Sequence, residues 1–186
     1  GGEIKADGGF VETSGKKVNL KDDVKVKSKT WLIDPYDIEI VDDITNETTI
    51  TPSNGTYTAP SDSTKIRAST LATALNTGTN VTVTTTGAGT QNGDITVKSA
   101  ISWSSSSALT LKADKNIYIN SDITATNPSG KLNLYYGQGA VASGNGAIYT
   151  TGETGKINLK AGENFSTKLG SDGTEVNYTV VTDKAG

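Results

Sequence analysis

The chain has 186 residues, 33% of them hydrophobic, with a net charge of −3, which is enough for one domain or one piece of a longer rod. Cysteine and histidine are both absent, which excludes disulfides, thiol catalysis, Ser-His-Asp catalysis and zinc sites of the usual kind. No long basic run and no apolar stretch of about 18 residues occurs, so neither nucleic-acid binding nor a membrane span is expected.

Residues 1–41 contain Gly8-Gly9-Phe10-Val11-Glu12-Thr13-Ser14-Gly15, then Val18-Asn19-Leu20, Val24-Lys25-Val26 and Trp31-Leu32-Ile33-Asp34-Pro35-Tyr36-Asp37-Ile38-Glu39-Ile40. The apolar-polar-apolar bursts read as short strands with one buried face. Gly8, Gly9 and Gly15 permit tight turns and Phe10 is expected in the core. Trp31 and Leu32 are expected to close this part of the core, and Pro35 to end the strand because it cannot donate to a ladder.

Residues 42–70 break the rhythm. Thr, Ser, Asn and Asp dominate, with Pro52 and Pro60, and so long a loop is often functional or mobile. It is expected to bulge out as a loop or a small hairpin turning at Asn54-Gly55. Residues 69–76 are the one helix candidate: Ser69 or Thr70 can cap it, Leu71 and Leu75 share a face, and Gly78 stops it. Two turns cannot stand alone, so the helix must lie on the strands beside it.

Residues 79–162 are the most regular part. Leu109/Leu111, Ile117/Ile119 and Leu132/Leu134 alternate with polar residues, and Leu132-Asn133-Leu134 repeats the phrase Leu109-Thr110-Leu111. Asp94 to Ile101 aligns position by position with Asn116 to Ile123, while Val81-Thr82-Val83 and Ile157-Asn158-Leu159 are further copies of the phrase. Phe10, Val18 and Val24 keep the same spacing as Leu109, Ile117 and Ile123. A period in the low twenties made of short strands predicts an all-β right-handed parallel β-helix, a solenoid with one protruding loop or hairpin and one short helix. One repeat buries too little apolar surface to offset the ordering of its backbone, so neighbouring repeats must cover it. The outward residues Thr82, Thr110, Asn133 and Asn158 are expected to form a polar ladder. Residues 163–186 keep strand character in Val176 to Val181, and the rod is expected to continue into further repeats. The expected divisions are 1–41 (β-helix), 42–78 (loop and helix) and 79–186 (β-helix).

Gly8 to Gly15, followed by Trp31-Leu32-Ile33-Asp34-Pro35-Tyr36-Asp37, resembles the shaft of two-partner secretion exoproteins, the filamentous haemagglutinins and high-molecular-weight adhesins of Gram-negative bacteria. Weaker resemblance runs through Leu71 to Val83, Asn92 to Val97, Trp103 to Ile119 and Phe165 to Gly173. The resemblance implies a secreted or surface-exposed adhesin whose parent protein leaves through an outer-membrane two-partner secretion transporter. Its receptor would lie on a host cell or another bacterium, with glycans among the candidates. No signal peptide or secretion domain is evident, so the chain reads as an internal shaft segment. A contact-dependent toxin-delivery exoprotein shares this kind of shaft and is the first alternative.

The second alternative, a β-helical polysaccharide-active enzyme, needs clustered carboxylates on one face. The acid pairs Asp22/Asp23 and Asp42/Asp43, with Asp34 and Asp37 around Pro35, read instead as solvated turn residues, because neighbours in a strand point to opposite faces. Arg67, the sole arginine, sits outside the regular repeats. No catalytic residue, metal site or cofactor is expected. The acceptor pattern Asn-x-Ser/Thr marks Asn46, Asn54, Asn80, Asn164 and Asn177 as candidate glycosylation sites, with Asn46 and Asn54 expected on the protruding loop. Some adhesins that the chain resembles are glycosylated at such sites before export.

Overall fold

A computed structural model describes residues 35–43, 45 and 47–181, together with the backbone of four short strands ahead of them. Those four are β1 (Glu3–Lys5), β2 (Phe10–Glu12), β3 (Lys25–Lys27) and β4 (Thr30–Leu32), paired in parallel as β1–β3 and β2–β4. The roles expected of Gly8, Gly9, Gly15, Phe10, Val18, Val24, Trp31, Leu32, Asp22, Asp23, Asp34 and Asn46 lie outside the described residues and side chains.

From residue 35 onward the chain is mostly β. Its strands are β5 (Ile38–Ile40), β6 (Thr56–Thr58), β7 (Thr64–Ile66), β8 (Val81–Thr84), β9 (Ile95–Val97), β10 (Ile101–Trp103) and β11 (Ala108–Lys112). They continue as β12 (Ile117–Ile119), β13 (Ile123–Ala125), β14 (Lys131–Tyr136), β15 (Tyr149–Thr151), β16 (Ile157–Asn158), β17 (Gly162–Leu169) and β18 (Val176–Val180), and one helix, α1 (Ala68–Asn76), separates β7 from β8. Three sheets result: sheet I in the order β18-β17-β14-β11-β8-β6, sheet II in the order β15-β12-β9-β5-β7, and sheet III in the order β10-β13-β16. All pairs in these sheets are parallel except β17–β18. Between β8 and β16 the chain visits sheets I, II and III three times in that order, then returns to sheet I at β17.

The register follows the apolar bursts. Leu109 pairs with Val81 on one side and Leu132 on the other, Ile117 with Ile95, and Ile101 with Ile123. Because side chains alternate with period two, this register sends every Leu, Ile and Val of the bursts to the same face, and a one-residue slip would expose them all. Val81, Val83, Ile95, Val97, Leu109, Leu111, Ile117, Ile119, Leu132 and Leu134 are accordingly buried in one core. Trp103 faces Ala125 across β10–β13, a large residue against a small one, and its indole N–H donates to the Ser107 carbonyl at 3.0 Å.

Helix α1 packs against β10 with Leu71 and Leu75 fully buried. Neither Ser69 nor Thr70 is its N-cap; Arg67 holds that position, and its guanidinium turns to Glu47 and the Asp42 carbonyl instead of capping the helix. Carboxylates from earlier in the chain supply the missing acceptors. Asp42 Oδ1 accepts the Ser69 N–H at 3.0 Å and its hydroxyl at 2.8 Å, and Glu47 Oε1 accepts the Arg67 N–H at 3.1 Å. At the other end the hydroxyls of Ser105 and Ser107 donate to the Leu75 carbonyl, and Gly78 turns away at φ 90°.

Two further expectations need correction. Ile157-Asn158 does not continue the file of Leu132-Asn133; it pairs with Ile123-Thr124 in sheet III, and Phe165-Ser166 takes the place beside Leu132-Asn133. The stretch 42–78 also contributes to the sheets themselves. It turns at Asn54-Gly55, both at positive φ, then adds β6 to the end of sheet I and β7 to the end of sheet II, outside β5. The Thr48 N–H donates to the Lys65 carbonyl at 3.0 Å, so the loop ahead of β6 covers part of the edge of β7. Among the described residues no helix is long and apolar enough to cross a membrane.

Candidate binding surface

The acceptor asparagines have different surroundings. Asn54 is exposed at the tip of its turn, and Asn177 is exposed on β18. Asn80 is exposed, but its Oδ1 accepts the Ala108 N–H at 2.9 Å. Asn164 is 4% exposed, and its Nδ2 donates to the carbonyls of Pro128 and Lys160, both at 2.9 Å. A buried amide held by two carbonyls is closed to any transferase unless β17 opens. Asn54 and Asn80 come close together, since Gly55 abuts the Asn80 carbonyl and Thr56 pairs with Thr82, whereas Asn164 and Asn177 lie on β17 and β18 at the opposite end of sheet I.

The acidic side chains mostly brace the backbone. Asp37 Oδ1 accepts the N–H groups of Gly93 and Asp94, Asp94 Oδ1 that of Asn116, and Asn116 Oδ1 that of Ile148. Each lies just before a strand of sheet II, so backbone donors at the start of one strand are satisfied by the side chain that precedes the strand beside it. Asp122 does the same for Lys156 ahead of sheet III. Asp42 and Asp43 do not act as a pair: Asp42 is committed to α1, and Asp43 is exposed. Among the described residues no group of three metal-ligating side chains converges.

Outward faces carry polar files. On sheet I, Thr82 lies beside Thr110, Thr110 beside Asn133 and Asn133 beside Ser166. Asn133 Nδ2 donates to Thr110 Oγ1 at 3.0 Å, and Asn133 Oδ1 accepts from the Ser166 hydroxyl at 2.9 Å. On sheet II the carboxylate of Glu39 lies between Lys98, with which it is hydrogen-bonded, and Lys65, 3.9 Å away. Such solvated ion pairs add little stability.

Toward β18 the core ends in aromatic rings: Tyr136 against Tyr149, Tyr149 against Phe165 and Phe165 against Tyr178, with centroids 5.2, 6.4 and 5.3 Å apart. Burial, with Glu175 against its hydroxyl, pushes the Tyr135 phenol up to about 12. Burial also raises Tyr136 and Tyr149, and it raises the Asp114 carboxyl against the opposing effects of Thr86 and Lys112.

A concave site is formed where the loop before β7 meets the loop between β8 and β9. It encloses about 470 Å³ and is bounded by Tyr36, Pro60, Asp62, Ala88 and Thr90 among others. One side of the Tyr36 ring rests on backbone that only glycine allows: a Cβ on Gly87 would lie 2.3 Å from the ring, and one on Gly89 2.4 Å. The phenol donates to the Ala88 carbonyl at 3.0 Å. Asp62 accepts the Thr90 N–H at 3.1 Å and its hydroxyl at 2.9 Å. Gln91 ties the same walls together, its Oε1 accepting from the N–H groups of Asp37 and Ser63. Sequence reasoning did not single out Tyr36, Asp62 or Thr90. The signal it missed is a second period: Asp62–Thr90, Ser63–Gln91, Asn76–Ser104 and Asn80–Ala108 are all hydrogen-bonded at a separation of 28.

No protein-family model matches the chain, and no curated protein or solved structure matches it either.

Proposed function

We propose that the chain is a shaft segment of a large bacterial adhesin of the two-partner secretion type, folded as a right-handed parallel β-helix. The observation that carries the reading is the in-register stacking of successive apolar bursts, Leu109 on Leu132, Ile95 on Ile117 and Ile101 on Ile123, visited sheet by sheet in a fixed order. Parallel strands joined by crossovers are right-handed in nearly all proteins, which supports that hand. The likeness of Gly8–Gly15 and Trp31–Asp37 to exoprotein shafts supports the secretion route, the outer-membrane transporter as export partner and a cell-surface location.

Its work is geometric rather than catalytic. Stacked repeats extend a stiff column, each layer adding about 4.8 Å, and loops at its corners offer surfaces for attachment. The braced, solvated carboxylates support a non-enzymatic reading, since acid-base chemistry needs groups free to meet a substrate.

Two experiments test this. The gene around the segment is expected to encode a two-partner secretion domain upstream; a hydrolase or lyase in its place overturns the reading. Beads coated with the chain are expected to adhere to epithelial cells or bacteria above an albumin control. A version with residues 42–68 replaced by a short turn shows whether that stretch makes the contact.

A further inference from the structure

We propose that the concavity bounded by Tyr36, Pro60, Asp62, Ala88 and Thr90 is a binding site for a neutral saccharide unit. The proposal rests on the adhesin reading and gives it a site and a ligand class.

The chemistry of the walls selects the ligand. Among the described residues no lysine or arginine lines the site, so an anionic group would meet the Asp62 carboxylate with nothing to balance it. Asp62 commits one lone pair of each oxygen to Thr90, and a carboxylate offers about four acceptor directions. Two therefore remain for donors such as a pair of neighbouring hydroxyls. The Tyr36 ring and Pro60 supply apolar surface for the C–H face of a pyranose, and the hydroxyls of Ser61 and Thr90 can serve the other edge. At about 470 Å³ the space falls within the usual range of small-molecule sites.

The site is also held in shape before any ligand arrives. Tyr36 is fixed by its bond to Ala88 and by the Gly87–Gly89 backbone, and Asp62 by Thr90. Gln91 joins the loops carrying Asp37 and Ser63. Binding then orders few side chains, which limits the entropic cost that weakens shallow sites. A single unit would bind in the millimolar range, and a long polymer or several copies of the shaft would raise avidity.

The test uses the methyl glycosides of galactose, glucose, mannose and N-acetylglucosamine as probes, titrated into the ¹⁵N-labelled chain to about 50 mM. At least one is expected to shift the amide signals of Asp62 and Thr90 with a Kd of about 1–20 mM. Asp62→Asn is expected to weaken binding at least tenfold, and Ala88→Phe, which fills the space, to abolish it. Thr70→Ala, on α1, should leave it unchanged. Amide spectra of each variant show whether it is folded. No response to any glycoside, equal binding by Asp62→Asn, or a response to arginine amide without one to the glycosides would overturn the site. A chain that adheres to cells but binds no glycoside loses this site alone. One that binds a glycoside at Asp62 but does not adhere loses the adhesin reading alone.

Discussion

At Gly89 the loop between β8 and β9 closes tightly on Pro35 and Tyr36. A Cβ there would lie 2.4 Å from the Pro35 carbonyl oxygen and 2.4 Å from the Tyr36 ring, and backbone cannot move aside as a flexible side chain can. Gly89→Ala is expected to cost about 1–3 kcal/mol, read as a lower urea midpoint at unchanged slope. Gly146→Ala, where nothing lies within 4 Å, should shift the midpoint little. A second residue-scale prediction concerns the aromatic end. Tyr135 is raised from 10.0 to about 12, so the folded state holds its proton more tightly than the unfolded chain. Its contribution to stability is complete below about pH 10 and is lost as pH rises toward about 12. Unfolding midpoints measured from about pH 8 to 12 should fall across the upper half of that range, and Tyr135→Phe should reduce the fall.

At the scale of elements, α1 depends on groups far away in the chain. Asp42→Ala removes the acceptor for the Ser69 N–H and is expected to cost about 0.5–2 kcal/mol, as loss of a cap does. Leu75→Ala opens a hole in a fully buried site and should cost about 2–5 kcal/mol; urea unfolding compares the two. The helix itself was legible, because Leu71 and Leu75 are spaced for one face and Gly78 follows. Its caps were not, because Asp42 and Glu47 stand 27 and 20 residues from the N–H groups they serve. The strands divide in the same way. Leu109 and Leu132 announce their pairing by identical alternation at one period. Ile157-Asn158 carries the same phrase two strands after Leu132, in the same passage through the three sheets, yet it pairs with Ile123-Thr124 of sheet III. The glycine-rich loop between β14 and β15 lengthens that layer, and apolar-polar-apolar bursts suit sheets I and III equally. The concave site was invisible for a related reason. Asp62–Thr90 and Ser63–Gln91 are joined at a separation of 28, which the shorter and more conspicuous period of the later layers conceals. Tyr36 stood beside Pro35 at the end of a strand and Pro60, Ser61 and Asp62 stood in the long loop of residues 42–70, but nothing in either stretch showed that the two would meet Ala88 and Thr90.

At the scale of the whole molecule, the proposed β-helix makes a prediction that a closed globule would not meet. In a column each layer touches only its neighbours, so one complete layer can be removed without breaking the others. Deleting residues 109–131 joins Ala108 to Leu132 and removes β11, β12 and β13, one strand from each sheet. Leu132 and Leu134 then take the positions of Leu109 and Leu111 beside Val81 and Val83, following the register already present. β15 comes beside β9 and β16 beside β10, and Trp103 keeps its place against α1. The shortened chain is expected to fold, to unfold cooperatively, and to be about 5 Å shorter by small-angle scattering. Its stability should be lower, since two layer-to-layer contacts are replaced by one. Deleting only residues 109–120 removes β11 and β12 but not β13, so the chain would leave sheet III and re-enter it without passing through sheets I and II. That variant should not give a cooperative transition. Equal loss of folding in both deletions would mean that the layers are not interchangeable, and the column would have to be abandoned for a fold with a single indivisible core.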